Sequence, residues 1–288
     1  MTGYEDHVAD RARWATSPRG PLALVNAQHV DHAQPVWPVP GTWAPAPGGL
    51  TVTAAAEDGV VVDGVPVDGE VLVAGDRAVV PSTVAFPDGF AGTVAGGMLR
   101  VWDPASEAIT RFAAIARFDR SDAWVTSGRY TPLDGLERGP LVGHRASDAR
   151  VAPTEPARED GSVLDAAGDP LEVAGHIETA FGSTTVQLVV VRSAPFQGSA
   201  RLQLIVQDAT STLPEADPGS TYSMGRFLYL DDPGTAADVV LDWNLLVLPP
   251  CAFSYQFACP IPPEENRIPV PITAGERHPL DTARHVFH

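Results

Sequence analysis

Residues Leu241 to Gly275 read LDWNLLVLPPCAFSYQFACPIPPEENRIPVPITAG. Seven prolines punctuate the stretch. Each fixes its own backbone and removes a hydrogen-bond donor, so neither a regular helix nor a central strand fits here. The stretch reads as a long ordered excursion, a strap laid over a scaffold, and long ordered loops often carry function. It also holds both cysteines and a knot of polar residues: Asp242, Asn244, Glu264, Glu265 and Asn266.

The scaffold reads as mainly β. Gly and Pro number 26 and 28 of 288 residues, which favours many turns between short strands over long helices. Tyr4 to Ala15 reads as a short helix stopped by Ser17-Pro18, followed by a short apolar anchor at Leu22 to Val25. Gln34 to Gly49, with five prolines, reads as loop. Val60 to Val62, Asp63-Gly64, then Val65 to Val67 is a hairpin signature, because Asp-Gly suits a type I′ turn; Pro66 places the second strand at an edge. Leu50 to Ala54, Glu70 to Val73, Arg77 to Val80, Thr93 to Ala95 and Met98 to Trp102 continue a meander. Ala108 to Phe118 fits either helix or strand. Further strands are expected at Trp124 to Tyr130, Leu171 to Ala180, Thr184 to Arg192, Arg201 to Asp208, Arg226 to Leu230 and Val239 to Leu241. In Arg201 to Asp208 the alternation turns Leu202, Leu204 and Val206 to one face. The resulting organisation is an N-terminal helix and arm (1–34), a small sandwich-like β region (35–130), a linker or crossover (131–162), and a larger antiparallel sheet or barrel carrying the strap (163–288).

Composition excludes several chemistries. Formal net charge is −17, and no cationic cluster appears, so nucleic acid and anionic membranes are not expected partners. All 19 basic residues are arginine. Without lysine there is no Schiff base, no P-loop or kinase-type lysine and no Ser-x-x-Lys hydrolase. The start MTGYEDHVADRARW has no apolar core of a signal peptide, and a cytoplasmic location is the expectation. G-x-S-x-G, H-E-x-x-H and a G-x-G-x-x-G after a strand are all missing from the sequence.

The strap and its upstream neighbour resemble the C-terminal signature of domain of unknown function family 1684, found in bacterial and archaeal proteins. Four runs carry the resemblance: TYSMGRFLY (Thr221 to Tyr229), LDWNLLVLPPCAF (Leu241 to Phe253), CPIPPEENRIPV (Cys259 to Val270) and AGER (Ala274 to Arg277). SPRGPLALV (Ser17 to Val25) and QDATS (Gln207 to Ser211) are looser landmarks. The resemblance implies no activity. This chain departs from the family pattern where Leu245, Leu246, Val247 and Leu248 replace an Arg-Ala-Tyr-Asn run.

Candidate site residues follow from these segments. Asp242 and Glu265 are candidate catalytic carboxylates, able to serve as acid and base if burial raised one pKa. Arg226 is a candidate anion anchor, with Tyr222, Asn244, Asn266, Leu246 and Leu248 as ligand-binding candidates. The competing structural reading is that these side chains satisfy backbone groups that a proline-rich loop leaves unpaired. Asp208 is read as the cap of a turn. Cys251 and Cys259, seven residues apart, read first as buried reduced thiols, then as a disulfide, then as zinc ligands. His29 and His32 lack a third metal ligand, so no metal site is assigned, and no cofactor class follows. His144, His176 and His278 read as isolated imidazoles. Three functions stay open. The first is a small-molecule-binding β protein with an apolar ligand in the barrel mouth or beneath the strap. The second is a lysine-free enzyme using carboxylate chemistry. The third is a protein-interaction module on the N-terminal β region.

Overall fold

The computed structural model describes residues 2–133, 143–145, 171–196 and 198–287. Most of the expected linker at 131–162 lies outside the described residues. The protein is mostly β, as the turn-rich composition implies, and no helix among the described residues is long and apolar enough to cross a membrane. The helix Thr2–Ala15 carries His7, Arg11 and Trp14 at helical spacing, on one face.

The first β region packs a six-stranded antiparallel sheet with a four-stranded one. The larger runs in the order Leu24–His29, Met98–Trp102, Ala91–Ala95, Val84–Ala85, Val61–Val62, Val65–Pro66. The smaller runs Gln34–Val36, Val39–Ala46, Gly49–Ala54, Gly69–Ala74. Valines dominate the space between them, around a fully buried Trp43 that meets Phe86 edge-on at 6.0 Å. Asp63 and Gly64 both take positive φ, as a type I′ turn demands, and Pro66 sits on an edge strand.

Leu22, Ala23 and Leu24 are buried, as an apolar anchor requires, and Leu24–His29 is in addition a strand paired with Met98–Trp102. Two expectations for this region fail. Gln34 to Gly49 is a hairpin rather than loop; Pro45 is tolerated in its second strand because it lies beyond the end of the neighbouring Gln34–Val36. Arg77 to Val80 is a loop rather than a strand. Backbone and hydroxyl of Ser82 both bond Ala74 at 3.0 Å, pinching off the intervening residues and leaving Val79 and Val80 exposed. The ambiguous stretch at 108–118 is helix and strand in succession: Glu107–Arg111, capped by Ser106, then Phe112–Arg117.

The second region is a curled half-barrel of antiparallel strands. Its order is Arg226–Asp231, Ser199–Asp208, Thr184–Phe196, Val173–Phe181, Val125–Pro132, Ala237–Asp242. Leu202, Leu204 and Val206 point together into its core, as their alternation requires. The strap then holds the curl. Leaving the edge strand Ala237–Asp242, it makes the short turn Trp243–Leu245. Val247 next exchanges both backbone hydrogen bonds (2.8 and 2.9 Å) with Phe227 on the opposite edge.

Further along, the strap enters the sheet itself. Thr184–Phe196 and Ser199–Asp208 pair no further than Val191 opposite Gln203. Where they part, Asn266 stands in for a rung. Its Oδ1 accepts from Val189 N at 2.7 Å, and its Nδ2 donates to Val189 O and Ile205 O, both at 2.9 Å. Arg267–Ile268 then runs parallel to Gln207 and Asp208. The strap ends at Gly275, where φ is +74° and a Cβ would fall 2.6 Å from Leu246 Cβ, so only glycine fits without strain. Beyond it, Glu276–Asp281 pairs with Phe112–Arg117.

Candidate functional site

Arg226 is fully buried, and its hydrogen bonds stay inside the protein. Nη2 donates to Asp208 Oδ2 at 2.6 Å and to Ile272 O at 2.9 Å; Nη1 donates to Glu276 O at 3.1 Å and to Ala274 O. Asp208 Oδ1 accepts from Thr210 N, Thr210 Oγ1 and Ile272 N at 3.0, 2.7 and 3.0 Å. Asp208 therefore caps its turn as expected and is also the carboxylate partner of Arg226. Together they stitch the end of the strap and the first residue after it, 272–276, to the end of a barrel strand. A buried pair of this kind is held by its extra hydrogen bonds as much as by charge.

The polar knot is spread along the strap. Asp242 caps the turn Trp243–Leu245, and its Oδ1 accepts from Asn244 N and Nδ2 at 3.1 and 2.7 Å. Asn244 binds the backbone of Ser121 through both ends of its amide, at 3.0 and 2.9 Å. Asn266 forms the surrogate rung described above. Glu265 is exposed on the turn Glu264–Asn266. None of the hydrogen bonds of Arg226 reaches Asp242 or Glu265. Leu246 belongs to the half-barrel core, whereas Leu248 packs in a separate cluster with Ala15, Leu22, Ala252 and Phe253.

Tyr222 lies at the rim of that second cluster, with its phenol against Cys251; burial and then the neighbouring thiol push its pKa far up. Cys251 and Cys259 are free and buried, and Cys251 N donates to Cys259 Sγ at 3.3 Å. Burial also pushes the Cys259 thiol up. His278 is buried with Nε2 3.1 Å from Ser220 Oγ, and burial, then Arg277, push it down to about 4. Ser220 is sealed from solvent, so the pair presents no nucleophile. No group of three or more His, Cys, Asp or Glu able to hold a metal occurs among the described residues.

One buried charged junction was not anticipated from the sequence. It forms where the strap meets the N-terminal helix and the strand Phe112–Arg117. Glu276, with no exposed surface, accepts from Arg11 Nε and Arg117 Nη2 on Oε1 at 2.8 and 2.6 Å. Its Oε2 accepts from Arg11 Nη2 and Leu248 N at 3.0 and 2.6 Å. Arg11 also donates to Leu248 O at 2.9 Å and lies over the Trp14 ring at 3.9 Å. His7, one turn before Arg11, completes the group; burial and then Arg117 hold its imidazole below the ordinary pKa. Among the described residues, Arg117 Nη1 and His7 Nε2 are buried without a hydrogen-bond partner. Two clues lay in the sequence. His7 and Arg11 share a helix face, and Glu276 falls within the AGER run.

Comparison with known proteins adds a family and no activity. A family model described as "Protein of unknown function (DUF1684)" matches residues 110–277. No curated protein matches. Among solved structures, the solution NMR structure of an uncharacterized protein from Haloarcula marismortui is similar. It is 22% identical, with 58% of this chain and 77% of that chain covered and a TM-score of 0.41.

Proposed function

Given that the chain belongs to the DUF1684 family of proteins of unknown function, we propose that it is a cytoplasmic small-molecule-binding β protein. Its ligand site is the seam between the strap, the N-terminal helix and the strand Phe112–Arg117. One observation carries this reading: a single buried carboxylate, Glu276, faces two guanidiniums, and two donor-capable nitrogens beside it are left unpartnered. Buried polar nitrogens without partners are rare in native proteins, and a bound ligand is one way of satisfying them.

The site lies beside, rather than inside, the half-barrel. The half-barrel interior is filled by Leu188, Leu202, Leu204, Trp243 and Leu246, each with essentially no exposed surface. The seam, by contrast, is assembled from segments far apart in the chain, a common setting for binding sites. Mild purification followed by native mass spectrometry tests the reading, supplemented by a thermal-shift screen of small acids, phosphates and neutral metabolite-sized compounds. The expected result is a ligand that stabilises the wild-type protein and fails to stabilise a folded Arg117→Gln variant. A screen in which no compound distinguishes the two proteins overturns it.

A further inference from the structure

The unpartnered nitrogens and the charge around them specify a class of ligand, on the premise that the seam is a binding site. We infer that the seam takes a monocarboxylic acid with an apolar body, its two oxygens received by Arg117 Nη1 and His7 Nε2 and its body lying along the cluster of Trp14, Phe253 and Ile115.

Charge counting comes first. Arg11 and Arg117 contribute two positive charges and Glu276 one negative charge, leaving one in excess. Asp10, the remaining charged group acting on His7, is exposed. Burial and then Arg117 hold the His7 pKa below its ordinary value, which favours the uncharged ring, so it is left out of the count. A monoanion closes the count at zero. A dianion such as phosphate or a dicarboxylate would leave a surplus negative charge beside the fully buried Glu276, which is costly in a partly desolvated site.

Donor geometry comes second. Arg11 is already committed: Nε and Nη2 hold Glu276, Nη2 also holds Leu248 O, and its face covers Trp14. Arg117 gives Glu276 only Nη2. The donors that are buried and left without a partner at this junction are Arg117 Nη1 and His7 Nε2, the latter in the tautomer that carries its proton there. Two N–H groups suit the two oxygens of one carboxylate.

The neighbourhood supplies the rest. Trp14 lies one turn after Arg11, and Ile115 two residues before Arg117 on its strand. Both pack against the cluster containing Phe253, where Trp14 stands edge-on to the Phe253 ring at 5.5 Å. Apolar walls beside an anion-receiving head select an acid with a hydrocarbon body over an inorganic anion.

Isothermal titration of the full chain with octanoate, benzoate, 1-octanol, succinate and inorganic phosphate tests this. The expected result is that octanoate or benzoate binds and that 1-octanol binds at least tenfold more weakly. Arg117→Gln and His7→Leu should each weaken the acid at least tenfold. His7→Leu keeps all four hydrogen bonds to Glu276, so a folded protein with lost binding isolates the site from stability. Phosphate or succinate binding better than the monocarboxylates, with loss in both variants, overturns the ligand class while the seam stands as a site. Acid binding unchanged in both variants overturns the placement. No binding by any probe overturns the inference together with the reading beneath it.

Discussion

The two β regions are filled with different materials. Of the sixteen buried residues in the core of the first region, eleven are valine and none is polar. The side chains that are both polar and buried begin, among the described residues, at Ser106, and they include Arg226, Asp208, Glu276, Asn244 and Asn266. β-branched residues suit a pleated surface and need only fill volume, so the first core tolerates rearrangement. The second core depends on particular atoms meeting particular atoms, many of them brought by the strap. Buried polar networks of that kind gain little net stability over apolar packing and lose much when one member is removed.

The contrast is tested most severely by two truncations. Trp43→Ala, in the first core, is expected to cost about 3–5 kcal/mol through the cavity it leaves. Arg226→Met should cost about as much, ~3–5 kcal/mol, by stranding Asp208 as an uncompensated buried charge. Urea titration measures both. Asp208→Asn combined with Arg226→Met should recover part of the second loss, whereas no partner change rescues the first. A single Arg226 variant that loses under about 1 kcal/mol would erase the distinction between the regions.

A smaller effect is expected from Asn266→Ala, which leaves Val189 and Ile205 backbone groups without partners. The cost should be about 1–3 kcal/mol, and hydrogen exchange at the Val189 amide should accelerate while the first region is unaffected.

Acidity should separate the regions next. His278 is pushed from 6.5 to about 4 in the folded protein, so between those values the unfolded chain binds the extra proton. Stability from this group is full above pH 6.5 and is lost as pH falls towards 4, below which the loss levels off. His278→Gln should flatten that part of the pH profile of the urea midpoint; an identical profile in the variant would remove His278 as the cause. The smallest effect belongs to Val79→Ser. Its side chain is entirely exposed in the loop after Ala74, and stability should change by no more than about 0.5 kcal/mol.

Where the chemistry is local, the sequence was readable. The Asp63-Gly64 turn, the alternation of Leu202, Leu204 and Val206, and the absence of long regular elements from the strap each depend on a few consecutive residues. The hairpin at Gln34–Ala46 was hidden because Pro35 sits on an edge strand, Pro38 in the turn, and Pro45 where the neighbouring strand has ended, which only the paired structure reveals. Arg77 to Val80 carried a strand-like composition but is pinched off by Ser82. The polar residues of the strap stood out in the sequence. Their partners were not legible, since Asn244 bonds Ser121 and Asn266 bonds Val189, and the same holds for Arg226 on the edge strand, which bonds Asp208. The seam was the least legible, because Arg11 and Glu276 are 265 positions apart and no periodicity spans that distance.

That separation has a consequence for how the molecule comes into being on the ribosome. The first β region is complete once residue 102 has emerged and can collapse at once, since domains form as units during vectorial synthesis. The half-barrel cannot: the substitute rung at Asn266 and the strand Arg267–Ile268 beside it emerge long after residue 102. Until Glu276 emerges, Arg11 of the helix Thr2–Ala15 lacks the carboxylate that ties it to the strap, so the helix is made 265 positions ahead of its charged anchor.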